Sequence, residues 1–201
     1  MEKIDFKKTF KNLYKAKPNA EIIEVPELRF LIIEGKGNPN TSQDYKNAVE
    51  VLFGLSYIIK FMIKKSLQID YAVMPLEGLW WINDMENFSI DKKDEWKWNA
   101  MIMQPEFITI ELVEKGISEL KKKKNTSAID KVKLEKFNEG KAVQILHIGP
   151  FSEEGPVISK LHKFIEEKGF KLSGKHHEIY LSDIRKADPK NWKTIIRQPF
   201  I

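Results

Sequence analysis

Cysteine is absent from this 201-residue chain. Without thiols, the chain can form no disulfide, no thiolate metal site and no cysteine nucleophile. Residues 1–6 lack the uninterrupted apolar core of a signal peptide. The longest apolar run, residues 51–63, is broken by Ser56 and Lys60 and is too short to span a bilayer. We therefore expect a cytoplasmic protein with no membrane partner.

Arginine is scarce, although the formal net charge is +5. The chain has only Arg29, Arg185 and Arg197, whereas arginine is the usual bidentate reader of phosphates and bases. The positive excess comes from lysines that are interleaved with acidic residues. The residues before position 20 are too few for a helix-turn-helix domain. The sequence therefore predicts a solvated, lysine-rich surface and no direct nucleic-acid partner.

Patterns for metal, phosphate and triad chemistry are also missing. The adjacent His176 and His177 would point to opposite faces of a strand, and no carboxylate stands at a recognisable ligand spacing from them. Residues 35–37, Gly-Lys-Gly, lack the further glycine and the Lys-Ser or Lys-Thr ending of a phosphate loop. Ser182 and Asp183 have no glycine elbow around them. We predict no metal site and no cofactor.

The order of predicted elements divides the chain. A hydrophobic content of 42% and a charged content of 31% are typical of a globular protein. Residues 1–19 predict a short amphipathic helix, within residues 3–15, that docks on the main body. Residues 20–125 predict a βαββ module followed by a helix, and residues 126–201 predict a second βαββ module. The lysine run at 121–124 marks the boundary.

The two modules share a pattern that indicates an internal duplication. Each runs strand, glycine turn, helix, strand, and a strand ending in Gln-Pro, at 104–105 and at 198–199. Aligning these dipeptides pairs further positions: Trp98 with Trp192, Ala100 with Thr194, Gly35 with Gly149, and Glu77 with Glu178. The sequence thus predicts an α+β fold. Two pseudo-twofold βαββ modules place antiparallel sheets around a central ligand groove, with helices on the outer face.

Glu178 is the principal candidate for chemistry. Because side chains alternate along a strand, Glu178 and Tyr180 would share one face. The plain alternative is a surface carboxylate at a strand edge, or one paired with a lysine or arginine. Buried among aromatic residues, the glutamate would have a raised pKa and would act as a base, an acid or the partner of a cation. A second glutamate, Glu77, stands in a similar aromatic stretch, and we expect both to face one cavity.

Aromatic residues near these glutamates are candidates for a ligand wall. Their faces would bind flat, apolar or cationic small molecules. Tryptophan is more often simply core, and the period of two means that two adjacent tryptophans cannot share one environment. The predicted ligand-binding residues are Tyr71, Trp80, Trp81, Trp98 and Trp192.

Three stretches carry a family resemblance. They are residues 75–81 (PLEGLWW), residues 96–98 (WKW) ahead of Gln104-Pro105, and residues 177–183 (HEIYLSD). Together they resemble the GyrI-like small-molecule-binding family, which is related to effector-binding domains of multidrug-responsive transcription regulators. The resemblance covers residues 20–201 as one fused domain and is specific to members without a DNA-binding domain. It implies an aromatic pocket with a central glutamate at Glu178.

The resemblance leaves two main functions open. Some stand-alone members are hydrolases that open the cyclopropane of cyclopropanoid DNA-alkylating natural products, a role in detoxification and drug resistance. For such an enzyme, Glu178, Glu77 and Tyr180 are the expected catalytic residues, and no cofactor is needed. The alternative is a non-catalytic protein that binds hydrophobic or cationic aromatic molecules, or that senses them for a partner. Inhibition of a partner such as DNA gyrase is a third hypothesis. The sequence sets no oligomeric state.

Overall fold

A single curled antiparallel sheet organises the chain. The computed structural model describes residues 2–83 and 92–201. Its strands are β1 (Glu2–Ile4), β2 (Glu21–Val25), β3 (Leu28–Lys36), β4 (Ile69–Tyr71), β5 (Leu76–Trp81), β6 (Lys97–Gln104), β7 (Lys133–Phe137), β8 (Gly140–Ile148), β9 (His176–Tyr180) and β10 (Lys193–Pro199). Its helices are α1 (Phe6–Thr9), α2 (Lys11–Tyr14), α3 (Gln43–Leu67), α4 (Ile110–Lys121) and α5 (Gly155–Glu167).

The main sheet joins the two halves of the chain edge to edge. Its strand order is β2-β8-β10-β9-β5-β6-β3-β7, and every pairing in it is antiparallel. The first half contributes β3, β5 and β6 with α3, and the second contributes β8, β9 and β10 with α5. The strands β5 and β9 pair at the centre. The predicted α+β fold of two related βαββ units is confirmed.

The strand pairings test the predicted duplication residue by residue. Gly35 lies opposite Trp98, and the equivalent Gly149 donates its N–H to the carbonyl of Trp192 at 3.0 Å, in agreement with the predicted register. The correspondence of Glu77 with Glu178 is wrong by one residue. Ile102 and Ile196 are equivalent, because each lies two residues before the glutamine of a Gln-Pro pair. Ile102 pairs with Leu76, and Ile196 pairs with Glu178, so the residue equivalent to Glu178 is Leu76.

The helices α3 and α5 cover the same face of the sheet. The side chain of Ser42 accepts a hydrogen bond from the N–H of Tyr45 and caps α3. The buried face of α3 packs on β3 and β6. The buried Leu161 and Ile165 of α5 pack against Ile145 and Ile196 of β8 and β10. The central strands β5 and β9 therefore lie between the two helices.

The N-terminal segment differs from the single helix that its periodicity predicts. The strand β1 pairs in parallel with β4, and the side chain of Asp5 caps the four-residue helix α1 by accepting from the N–H of Lys7. Phe10, at φ −102° and ψ 44°, interrupts the helix before α2. The buried Leu13 and Tyr14 then attach the segment to the body. Within residues 2–83 and 92–201, no helix is long and apolar enough to cross a membrane.

Candidate functional site

Glu178 lies on the helix-covered face of the sheet, in the gap between α3 and α5. Its side chain is buried, with 8% of its surface exposed. Its cross-strand neighbours are Gly78 on β5 and Ile196 on β10. The next residue along the same row is Ala100 on β6. Because Gly78 and Ala100 are small, the sheet leaves room beside the carboxylate for larger side chains from neighbouring rows.

Two indole rings lie over glycines on this face. Trp80 and Trp98 pair across β5 and β6 on the face of Glu178, and the ring of Tyr45 from α3 lies 5.5 Å from Trp80 and 5.0 Å from Trp98 between centroids. Trp80 lies so close over Gly78 that an added Cβ would be 2.8 Å from its Nε1. A Cβ on Gly35 would be 2.2 Å from Cζ2 of Trp98. Glycine is thus required for this aromatic wall.

We expect Gly35→Ala to lower the free energy of unfolding by about 1–3 kcal/mol, because the methyl group collides with the fully buried indole of Trp98. Urea unfolding of the single variants and of the Gly35→Ala, Trp98→Leu double variant forms a thermodynamic cycle. Leucine has no ring, so the added cost of the methyl group falls towards zero in that background. An equal cost in both backgrounds would contradict the described packing.

The carboxylate of Glu178 is fixed by two neighbours on its own strand. His176 Nε2 lies 3.0 Å from Oε1, and the hydroxyl of Tyr180 donates to Oε2 at 2.6 Å. Burial acts to raise the pKa of Glu178, but these hydrogen bonds and the charge of His176 outweigh it, so the pKa lies below its usual value. The expectation of a raised pKa is therefore wrong. Glu178 is an ionised carboxylate at neutral pH.

A second buried carboxyl group, Glu154, lies beside it. Glu154 precedes α5 and has 4% of its surface exposed. Burial and then the charge of Glu178 raise its pKa to about 9, so it is protonated at neutral pH. The sequence gives no signal for it beyond its place in the acidic start of a helix, where carboxylates usually act as caps. In the structure its side chain makes no capping hydrogen bond.

Several polar atoms on this face have no hydrogen-bond partner within the part of the chain that the structure describes. They are Nε1 of Trp80, Nε1 of Trp98, Oε1 of Glu154 and Oγ1 of Thr194. A buried polar group without a partner costs about 1–3 kcal/mol, so such a set is unusual unless another molecule satisfies it. The arrangement can bind a molecule that carries hydrogen-bond acceptors over an aromatic surface beside one negative charge.

The rim of the site is also aromatic. Phe151 contacts Tyr180 and Trp192, with ring centroids 5.5 and 4.9 Å apart. The Trp192 indole donates to the carbonyl of Ala187 at 2.9 Å, which fixes its ring. Lys93 Nζ lies 5.5 Å from the ring of Trp96, and its charge acts on the carboxyls of the site. We call this set of residues the helix-side site. It comprises Glu154, Glu178, Tyr45, Trp80, Trp98, His176, Tyr180 and Thr194, with Lys93, Trp96, Phe151 and Trp192 at the rim.

Glu77 does not belong to the helix-side site, and the expectation that both glutamates face one cavity is wrong. Glu77 pairs with Ile179 and therefore points to the opposite face from Glu178. There it accepts a hydrogen bond from Tyr14 at 2.7 Å and lies 3.0 Å from Nε2 of His177. The Nδ1 of His177 lies 2.9 Å from a carboxylate oxygen of Glu139.

This opposite face carries a buried chain of charges. Glu139 also accepts from Arg197 at 3.0 Å, and Arg197 donates to the carbonyl of Leu13 at 2.7 Å. Burial acts to lower the pKa of His177, but Glu139 and Glu77 raise it to about 9. Burial acts to raise the pKa of Glu139, but the charges of His177 and Arg197 lower it to about 2. His177 and Glu139 are thus both charged at neutral pH. The chain attaches the N-terminal segment to the sheet through Tyr14 and the carbonyl of Leu13.

The five predicted aromatic residues fall in three places. Trp80 and Trp98 lie together in the helix-side site, and Trp192 lies at its rim. Trp81 points to the opposite face of the sheet, and its ring stacks with Lys175, whose Nζ is 3.5 Å from the centroid. Tyr71 packs instead against two phenylalanines beside the N-terminal segment, Phe6 and Phe107.

Other parts of the described chain offer less chemistry. Within residues 2–83 and 92–201, no three histidine or acidic side chains form a group that could hold a metal ion. An open surface hollow of about 790 Å³ lies beside Arg29 and Thr109 and is not lined by Glu178. A smaller hollow of about 280 Å³ lies at the edge strand β2, beside Ile22 and Phe170. Neither combines a buried carboxylate with indole groups.

Comparison with known proteins identifies the family. The model of the GyrI-like small-molecule-binding domain matches residues 18–200. An uncharacterised conserved protein from Listeria innocua is 42% identical, with 98% of this chain and 100% of that chain covered and a TM-score of 0.91. A hydrolase from Listeria innocua is 40% identical, with both chains covered fully and a TM-score of 0.88.

More distant structures share the fold alone. The C-terminal domain of EcmrR is 15% identical, with 91% of this chain and 97% of that chain covered and a TM-score of 0.58. A comparison with curated proteins gives no match. The family model spans almost the whole chain, and the protein therefore belongs to the GyrI-like family of small-molecule-binding domains.

Proposed function

We propose that this protein is a cofactor-independent hydrolase that opens the cyclopropane ring of cyclopropanoid DNA-alkylating natural products. The observation that carries the proposal is the ionised carboxylate of Glu178, buried on the face of the sheet that carries Trp80 and Trp98 with their unpartnered N–H groups. Hydrolases from Listeria innocua that are 39% and 40% identical over nearly the whole chain add support. The substrate class comes from the resemblance of the sequence motifs to stand-alone members of the family.

The geometry supports a general-base mechanism. A water molecule bound to Glu178 attacks the exposed methylene carbon of the cyclopropane and forms a C–O bond, while Glu178 accepts the proton of the water. The C–C bond to that carbon breaks, and its electron pair moves through the conjugated ring to the carbonyl oxygen. The N–H of Trp80, whose ring lies over Gly78 of β5 and which has no partner among the described residues, would donate to an acceptor on the ligand. Burial excludes competing bulk water.

Tyr180 takes a different role from the one its sequence position indicates. The sequence predicts Tyr180 as a catalytic residue. In the structure its hydroxyl donates to Oε2 of Glu178 at 2.6 Å. We propose that Tyr180 is a positioning residue, which together with His176 orients the carboxylate and keeps it ionised.

The alternative function is binding without turnover. An ionised carboxylate among aromatic rings also attracts a cationic aromatic molecule, since the ring faces and the charge act in the same direction. In that case Glu178 would neutralise the ligand and no water would need to be activated. The unpartnered donors of the site favour the hydrolase, because a cation without acceptor atoms would leave them unsatisfied.

We expect the purified protein to convert a molar excess of a cyclopropanoid alkylator into a product one water molecule heavier. Liquid chromatography with mass spectrometry follows substrate and product, with buffer alone as the reference for spontaneous hydrolysis. Many turnovers per protein molecule support the hydrolase. A stoichiometric complex with unchanged substrate would contradict it and support the binding function.

A further inference from the structure

Two carboxyl groups in the helix-side site hold different charges for a structural reason. Glu178 and Glu154 are both buried, and the charge of one acts on the other. Like charges in a dry site disfavour double ionisation, so one of the two groups retains a proton. Glu178 keeps its charge because His176 and Tyr180 hold both of its oxygens. Glu154 has only the side chain of Thr194 acting to lower its pKa by hydrogen bonding, and burial and the charge of Glu178 outweigh it.

The positions of the two groups fit opposite ends of a bound molecule. The strand β9 carries Glu178 and lies between β5 and β10. The indole wall of Trp80 stands on the β5 side of Glu178. On the other side, Thr194 of β10 pairs with Tyr180, and Glu154 interacts with both Thr194 and Glu178. A flat ligand that lies between the indoles and Glu154 would therefore cross over the carboxylate of Glu178.

We propose that Glu154 is the proton donor of the proposed reaction, and that it works with Glu178 as an acid–base pair of carboxyl groups. This inference rests on the proposed hydrolase function and adds a catalytic residue to it. Oε1 of Glu154 and Oγ1 of Thr194 would bind the acceptor oxygen of the substrate, on which negative charge develops.

The substrate, one water molecule and the two carboxyl groups account for every proton in the reaction. Water gives its oxygen to the cyclopropane carbon and one proton to Glu178. The released electron pair turns the conjugated carbonyl into a phenolate, which takes the proton of Glu154 and leaves as a phenol. Glu178 is then protonated and Glu154 ionised. Transfer of one proton from Glu178 to Glu154, directly or through a water molecule, restores the starting state.

The acidity of Glu154 suits this step. Burial, followed by the charge of Glu178, raises its pKa to about 9. A phenol such as that of tyrosine has a pKa of about 10, so the transfer to a phenolate is nearly balanced and slightly favourable. Of the other groups that face Glu154, Lys93 and Thr194 act to lower this pKa. Tyr180 also lies within electrostatic range and is neutral at this pH.

We expect Glu154→Gln to lower kcat by about 100-fold or more and to change KM only a few-fold, because glutamine keeps the shape but has no acidic proton. The wild-type kcat falls as the pH rises through about 9, where Glu154 loses its proton. Glu154→Gln lacks this alkaline decline. The control is Glu153→Gln, at an exposed carboxylate in the same turn. Steady-state kinetics from pH 6 to pH 10 with a cyclopropanoid substrate measure all three proteins.

The outcomes separate this inference from the proposed function. Suppose that the wild type turns over and Glu178→Gln does not, while Glu154→Gln keeps the wild-type kcat and alkaline decline. The role of Glu154 is then overturned and the hydrolase stands. No turnover by the wild type overturns the function and, with it, the proton donor.

A spectroscopic measurement tests the proton on Glu154 without substrate. Infrared difference spectra of protein carrying ¹³C-labelled glutamate compare the wild type with Glu154→Gln at pH 7. We expect a protonated carboxyl band that is missing from the variant and disappears as the pH rises through about 9. If the wild type shows no such band, Glu154 cannot serve as the donor, whatever the kinetics.

Discussion

Replacing Glu178 with glutamine is expected to lower kcat for a cyclopropanoid substrate by about 10²–10⁴-fold, the usual contribution of a general base. Glutamine has nearly the same shape but cannot accept a proton from water. The aromatic wall of Trp80, Trp98 and Tyr45 does not change, so the affinity for the substrate stays within a few-fold of the wild type. Steady-state kinetics and calorimetric titration measure the two quantities.

Tyr180→Phe is the matched variant for this prediction. It leaves the carboxylate of Glu178 in place but removes the hydroxyl that donates to Oε2. Because this hydrogen bond lowers the pKa of Glu178, its loss raises that pKa and moves the acid limb of the kcat profile to higher pH. A Glu178→Gln variant with the wild-type kcat would exclude the general-base role.

The second large effect concerns stability and the opposite face of the sheet. Glu139→Gln is expected to lower the free energy of unfolding by about 3–5 kcal/mol, because it leaves the charges of His177 and Arg197 buried with one carboxylate fewer. Urea unfolding at pH 6 measures the change. The control is Glu135→Gln, at a half-exposed carboxylate whose ion pair with Lys133 is long, at 3.9 Å. A loss below about 1 kcal/mol, the size typical of a surface ion pair, would contradict this account.

The pH dependence of this loss has a definite sign. The pKa of Glu139 is about 2 in the folded protein and 4.5 for the free group. A carboxyl group whose pKa is lower in the folded protein than in the unfolded chain stabilises the fold at pH values above its unfolded-state pKa. This stabilisation is lost as the pH falls through the folded-state pKa. The difference in stability between the wild type and Glu139→Gln should therefore narrow as the pH is lowered from about 4.5 to 2. A constant difference over that range would contradict the assigned charge state.

The two faces of β9 explain how the ion chain serves the site. His177 takes part in the chain on one face, and its neighbours His176 and Glu178 lie on the other. The hydrogen bonds of His177 to Glu77 and Glu139 hold β9 in place from the face opposite Glu178. The carboxylate of Glu178 is therefore supported by its strand as well as by its own hydrogen bonds. The ion chain and the candidate site are thus both built from one five-residue stretch, residues 176–180.

Local patterns in the sequence were sufficient for the fold. The repeated Gln-Pro ending and the two glycines, Gly35 and Gly149, indicate the duplication. Each of these features is determined by the strand or turn in which it lies, so it can be recognised in the sequence. Glu77 was misplaced because a shift of one residue in a strand moves a side chain to the other face. Only the cross-strand pairing of Glu77 with Ile179 decides that face, and pairing is a long-range property.

The charge states were harder to predict than the positions. The spacing His-x-Glu-x-Tyr at residues 176–180 does place two hydrogen-bonding groups beside Glu178, and this signal would have indicated a lowered pKa. Glu154 has no comparable signal. Its raised pKa comes from burial and from the charge of Glu178 on β9, which follows it in the chain and meets it only after folding.

A crystal structure of Glu178→Gln with an intact cyclopropanoid substrate tests the central claim most directly. We expect the ligand on the helix-covered face, between the indoles of Trp80 and Trp98 and the carboxyl of Glu154, with its cyclopropane over residue 178. The unpartnered indole N–H groups should then have acceptors. A ligand bound instead beside Glu77 on the opposite face, or in the surface hollow beside Arg29, would contradict the claim.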